Sequence, residues 1–128
     1  MTPIIFINCS AAPFIDDIIS GKKKYETRTR DMLRRFVGQR VLLAETGSGR
    51  PVVRCSARIR YHSVITDRNY WTYFLRKDAC IPAGSRYDWQ PDTRKKHIYC
   101  LEDVQPVSAP FPAPEGVRHG RVWMEYND

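Results

Sequence analysis

The stretch Ser20–Arg30, SGKKKYETRTR, sets three consecutive lysines, one tyrosine, one glutamate and two arginines around a single glycine. Upstream, AAPFIDDIISG (11–21) carries Phe14, Ile15, Ile18 and Ile19 at helical spacing. Pro13 is tolerated in a first turn, Ser10 can cap, and Gly21 suits a left-handed stop. Downstream, KYETRTR (24–30) alternates and carries Tyr and Thr, as a strand does. Alternation puts Lys24, Glu26 and Arg28 on one strand face and Tyr25 and Thr27 on the other. Lys23 joins Glu26 only by lying ahead of the strand proper. The stretch is a helix-to-strand junction in which cations crowd one carboxylate.

Strands are expected on both sides of this junction. PIIFINCS (3–10) is short, apolar and rich in Ile, as a buried strand is. DMLRRFVGQR (31–40) predicts a short helix or helical turn, and RVLLAET (40–46) a strand. GSGRP (47–51) is a turn, and VVRCSARIRYHSVI (52–65) a strand. There Val53, Cys55, Ala57, Ile59 and Tyr61 share one face, and Arg54, Arg58, Arg60 and His62 the other. TDRNYWTYFLRKDAC (66–80) predicts a helix that packs Tyr70, Trp71 and Phe74 into the core, with Thr66 or Asp67 as its cap. IPAGSRYDWQPDTRKK (81–96) is the longest irregular connection and a candidate functional loop. HIYCLEDVQPVSAP (97–110) and RVWMEY (121–126) read as strands, joined by the Pro- and Gly-rich FPAPEGVRHG (111–120). Non-local strands with a few short helices fit a small mixed fold on a curled sheet or barrel. No GxGxxG or GxxxxGK[ST] occurs, so nucleotide-binding glycine loops are unsupported.

The chain of 128 residues is expected to form one domain, 1–128, with a core that needs no metal or disulfide. Its 21 Lys and Arg against 14 Asp and Glu give a formal charge of +7, which favours polyanionic partners, nucleic acid first. Cys9, Cys55, Cys80 and Cys100 have no paired-ligand spacing, so reduced and mostly buried thiols are expected. His62, His97 and His119 are too dispersed to suggest a metal site, and no Ser or Cys partner pattern suggests a triad. No metal and no cofactor are expected. The absence of a leader or of an apolar run near 18 residues points to a cytoplasmic protein without a membrane partner.

Gly21, Lys23, Glu26 and Arg28 make the pattern G-x-K-x-x-E-x-R between a short helix and a strand. In this the chain resembles the ASCH domain, a branch of the PUA-like superfamily. VGQRVLLAET (37–46) resembles the family's strand after the motif. YCLEDVQPVSAPFP (99–112) and GRVWMEY (120–126) resemble its last strands, with their proline-rich link and terminal Trp. The resemblance covers most of the chain. It implies an α+β fold, a small PUA-like β-barrel of about five or six strands flanked by short α-helices, with a cleft at the helix–strand junction. It also implies an RNA or nucleotide-like ligand and a role in RNA metabolism or translation-linked regulation.

Some relatives of this kind are amidohydrolases acting on N4-acetylcytidine, and ribonuclease activity is attributed to others. The resemblance therefore carries an alternative, a small hydrolase using Lys23 and Glu26 as catalytic residues. In the amidohydrolases the motif lysine works with a threonine, at the position of Glu26 here, and with a later glutamate. This chain has no glutamate between Glu45 and Glu102. Thr27 or Thr29 would have to supply the hydroxyl, and Asp67, Asp78, Asp88 or Asp92 the carboxylate.

In the binding reading, Lys22, Lys23, Lys24, Arg28 and Arg30 receive phosphate or carboxylate oxygens, and Glu26 accepts a base amino group or steadies a cation. A Lys23–Glu26 pair exposed at a helix end would be worth only about 0–1 kcal/mol, whereas a buried pair would have perturbed pKa values. Arg54, Arg58 and Arg60 are either a wet strand face or a backbone track. Trp71, Tyr73, Tyr87 and Trp89 offer faces for unpaired bases; Tyr87 and Trp89, in the long loop, are the better placed.

Overall fold

The computed structural model describes residues 2–114 and 122–126. Six strands form one mixed sheet: β1 (Thr2–Asn8), β2 (Tyr25–Arg28), β3 (Arg40–Thr46), β4 (Val52–Ile65), β5 (Lys96–Pro112) and β6 (Trp123–Tyr126). Their order is β2-β5-β4-β3-β1-β6, with β1 parallel to β3 and all other pairs antiparallel. The fold is α+β, as expected, but the ladder does not close into a barrel; β2 and β6 are its edges. The four residues of β2 pair only with β5. Across the gap, β2 reaches β1 through a side chain, Arg28 Nη2 donating to the Phe6 carbonyl at 3.0 Å.

The long hairpin of β4 and β5 organises the core. Val53, Cys55, Ala57 and Ile59 point inward at 0–1% exposure, matching the strand period. The expected alternation then breaks. Ile59 pairs with Leu101 and Tyr61 with Cys100, so two steps along β4 face one along β5. At this bulge Tyr61 turns outward at 37% exposure and His62 inward opposite Tyr99, whereas at the strand's end Val64 is exposed and Ile65 is back in the core.

The helical segments are shorter than the sequence predicts. Helix α1 (Phe14–Ile19) buries Phe14, Ile15 and Ile18, but no side chain caps it. Ser10 instead donates its amide to Asn8 Oδ1 at 2.8 Å. Residues 31–40 contribute one 3₁₀ turn, Arg34–Phe36. Helix α2 (Arg68–Tyr70) is capped by Asp67, whose Oδ1 accepts from the amides of Asn69 and Tyr70. It widens at once into a π-helical turn, Trp71–Leu75, in which the amide of Arg76 donates to the Trp71 carbonyl at 2.8 Å. Only Trp71 and Leu75 of this segment enter the core. Tyr70 and Phe74, expected inside, are 48% and 67% exposed, and Tyr73 is 76% exposed. A single face of so short a segment meets the sheet, and Trp71 fills it. Residues 81–95 have no helix or strand, as expected. Residues 115–121 of the expected crossing segment, His119 included, lie outside the described residues. Among the described residues no helix is long and apolar enough to cross a membrane.

Candidate functional site

The chain leaves α1 through Gly21 at φ +84°, and the Lys23 amide returns to the Asp17 carbonyl at 2.9 Å. This turn drives Lys23, just ahead of β2, into the protein at 2% exposure. Its ammonium donates to the Ala79 carbonyl at 2.5 Å and lies 4.7 Å from the centre of the Phe14 ring. Burial pulls its pKa below the usual lysine value, and the negative charge of Glu26 opposes that shift. Lys22, Lys24 and Arg30 are exposed.

Glu26 is buried, and its Oε1 accepts from the Thr27 amide at 2.9 Å. Its Oε2 is buried without a hydrogen bond, 3.5 Å from Arg28 Nη2. That Nη2 is engaged with Phe6, while Arg28 Nε is buried and unpaired. Two residues of the motif therefore hold one bare acceptor and one bare donor. Buried polar atoms without a hydrogen bond each cost about 1–3 kcal/mol, which the Glu26–Arg28 ion pair offsets in part.

A cavity of about 340 Å³ opens beside them, within the range of small-molecule sites. β2 contributes Glu26, Thr27 and Arg28, followed by Thr29 and Met32; α1 contributes Phe14. The irregular loop contributes Tyr87, Asp88, Gln90 and Thr93, and β5 begins at the wall with Lys96. Lys23 is not part of this wall but sits against the Phe14 ring that is. Tyr87 meets Phe14 edge-on, ring centres 5.4 Å apart, and its hydroxyl accepts from Arg86 at 2.6 Å. Trp89 is half-buried against the core and does not line the cavity.

Two further groups on the wall are already engaged. Asp88 accepts from Trp71 Nε1, the Gly84 amide and the Trp89 amide, each at 2.8 Å. Burial opposes its ionisation, but these bonds and the Arg76 charge prevail and hold its pKa below the usual value. Lys96 donates to the Tyr87 carbonyl at 2.8 Å and lies 4.8 Å from the centre of the Trp71 ring. Burial lowers its pKa, against the pull of Asp88.

Of the residues singled out in the sequence, the fold brings Glu26, Arg28 and Tyr87 to one cavity and leaves Lys22, Lys24 and Arg30 outside. Of the three arginines of β4, Arg54 is drawn into ion pairs while Arg58 and Arg60 are exposed. Arg54 is bound to Asp16 and Glu45 at 2.7 and 2.9 Å, and Arg58 donates to the Gly38 carbonyl. Gln90, Thr93 and Lys96 went unnoticed because they sit in a polar run in which nothing marks the inward residues. The dispersed histidines also conceal a cluster. His62 Nε2 lies 2.8 Å from His97 Nδ1 and 3.9 Å from Asp31 Oδ1, and Tyr99 donates to Asp31 at 3.2 Å. The three ligand-type atoms of Asp31, His62 and His97 lie within 4.8 Å of one another. The facing nitrogens are nevertheless closer than two metal-bound imidazoles stand in a tetrahedral site, and the carboxylate is too far away.

No protein-family profile and no curated protein matches the chain. Solved structures do. An ASCH from Zymomonas mobilis superposes with a TM-score of 0.75 at 19% identity, covering 98% of this chain and 87% of that one. Two mutant proteins of the same ASCH give 0.72 at 19% identity, covering 98% of this chain and 88% and 90% of theirs.

Proposed function

From the ASCH fold that this chain carries, we propose that it binds RNA or a nucleotide-like ligand, with one base held in the cavity beside Glu26 and Arg28. The observation that carries this reading is one cavity lined by the Glu26 carboxylate and the Arg28 guanidinium together with the rings of Phe14 and Tyr87. A carboxylate acceptor and a guanidinium donor on one wall match an amino group next to a ring nitrogen, the edge that adenine and cytosine present. Phe14 and Tyr87 supply the apolar ring faces of the same cavity. The exposed Lys22, Lys24, Arg30 and Arg86 attract the phosphates, so affinity falls with salt, with a log–log slope of about −0.7 per phosphate neutralised on a single strand.

Titration of fluorescent single-stranded RNA at two salt concentrations tests this. Wild-type binding weakens with salt, and Glu26→Gln, which turns one acceptor oxygen into a donor, weakens it about tenfold, a loss of about 1.4 kcal/mol. Absence of binding at low salt, or a Glu26→Gln protein that binds unchanged, overturns the reading. Product analysis of the same samples addresses the hydrolase alternative, in which Lys23 would have to leave its place against Phe14. Cleaved or deacetylated RNA would favour that alternative.

A further inference from the structure

The ring planes of His62 and His97 lie within 7° of each other, with centres 5.0 Å apart and nitrogens only 2.8 Å apart. Rings stacked face over face cannot bring two nitrogens inside van der Waals contact. These rings therefore meet edge to edge, nearly in one plane, with Nε2 facing Nδ1 in the geometry of an N–H···N hydrogen bond. Such a bond holds one hydrogen. The pair can be neutral or carry a single added proton, but a second added proton sets N–H against N–H.

The surroundings connect this pair to the cavity. Tyr99, opposite His62 on β5, accepts from the amides of Met32 and Leu33 at 3.1 and 3.3 Å and donates to Asp31. The Tyr99 ring centre is 5.0 Å from that of His62. Met32 lines the cavity. Arg28 lies opposite His97 and Glu26 opposite Tyr99, so charges of both signs flank the pair, and Lys95, just ahead of β5, adds a further cation. His97 is 6% exposed, and burial together with His62 resists its protonation.

We infer that His62 and His97 act as a one-proton latch: entry of a second proton parts the rings, displaces Tyr99 and releases the Asp31–Leu33 segment from the cavity wall. The inference rests on the geometry of the cavity and not on what the cavity binds. Acid thus opens the wall at Met32 while the sheet stays paired.

Side-chain nitrogen NMR of the histidines between pH 8 and pH 4.5, with the amide signals of Met32 and Leu33 followed in the same samples, tests it. The expected result is protonation of the two rings in two separate steps, with the Met32 and Leu33 amides shifting only in the second. His62→Gln keeps a hydrogen-bonding partner for His97 but removes one titrating group. In that variant the low-pH step at Met32 and Leu33 disappears. Two rings that titrate independently, or full protonation of both without movement of Met32 and Leu33, overturns the inference.

Discussion

Arg28 Nη2 donates to the Phe6 carbonyl at 3.0 Å, joining edge strand β2 to β1 where no backbone ladder does. The same guanidinium lies 3.5 Å from Glu26 Oε2 and keeps its Nε bare. One side chain thus holds the cavity's two sides together while leaving a donor unpaired. Arg28→Lys keeps the charge but replaces the planar fork with a point donor. The expected result is a loss of about 1.5 kcal/mol in denaturant unfolding, together with weaker ligand binding. A variant of unchanged stability would show that the β2–β1 staple contributes nothing.

Lys23 is buried with one acceptor, and its lowered pKa fixes the sign of a pH effect. The folded protein loses this proton before the unfolded chain does. Between the folded value and the ordinary 10.5, the unfolded chain therefore binds more protons, and stability rises with pH. Replacement of a buried charge by an apolar group of similar length is often neutral or stabilising, so Lys23→Met should leave the protein at least as stable at pH 7. The stability of wild type relative to Lys23→Met should then climb as pH approaches 10.5. A flat or falling difference in paired denaturation curves would contradict the buried-ammonium account.

Asp88 presents the opposite sign. Its folded pKa lies below 3.8, so its contribution is complete above about pH 4 and is lost as pH falls through the folded value. Asp88→Asn should cost about 2 kcal/mol at pH 7, because Trp71, two loop amides and Arg76 all address the carboxylate. It should also flatten the acid limb of a stability–pH profile, measured by urea unfolding. An unchanged acid limb would mean that another carboxylate sets it.

The aromatic run 70–74 separates core from surface within five residues. Trp71→Ala should cost about 3–5 kcal/mol, since the ring is fully buried. Tyr73→Ser should change stability by no more than about 0.5 kcal/mol. Thermal melts of the two variants check the contrast, and equal effects would place both side chains at the surface.

These two positions also show what the sequence could reveal. The strand period located the core face of β4 as far as Ile59, and the helix–strand junction at Gly21 was legible because apolar spacing, glycine and alternation agree there. The bulge after Ile59 was not legible, since one extra residue leaves no compositional mark yet turns Tyr61 outward and His62 inward. The 70–74 run was misjudged because helical spacing groups aromatics without saying how wide a face the sheet can cover. At the site, local residues such as Glu26 and Arg28 stood out as a motif, whereas Lys96, Gln90 and Thr93 reach the cavity only through tertiary folding of the loop.

The central claim, that a base sits beside Glu26 and Arg28, is tested most directly by amide NMR of the wild-type protein titrated with ribonucleoside monophosphates. The predicted result is saturable shifts concentrated at Glu26, Thr27, Arg28, Tyr87, Gln90 and Thr93, largest for a base with an amino group beside a ring nitrogen. Shifts confined to the exposed arginine face of β4 around Arg58 and Arg60, or no shifts at millimolar ligand, would contradict it.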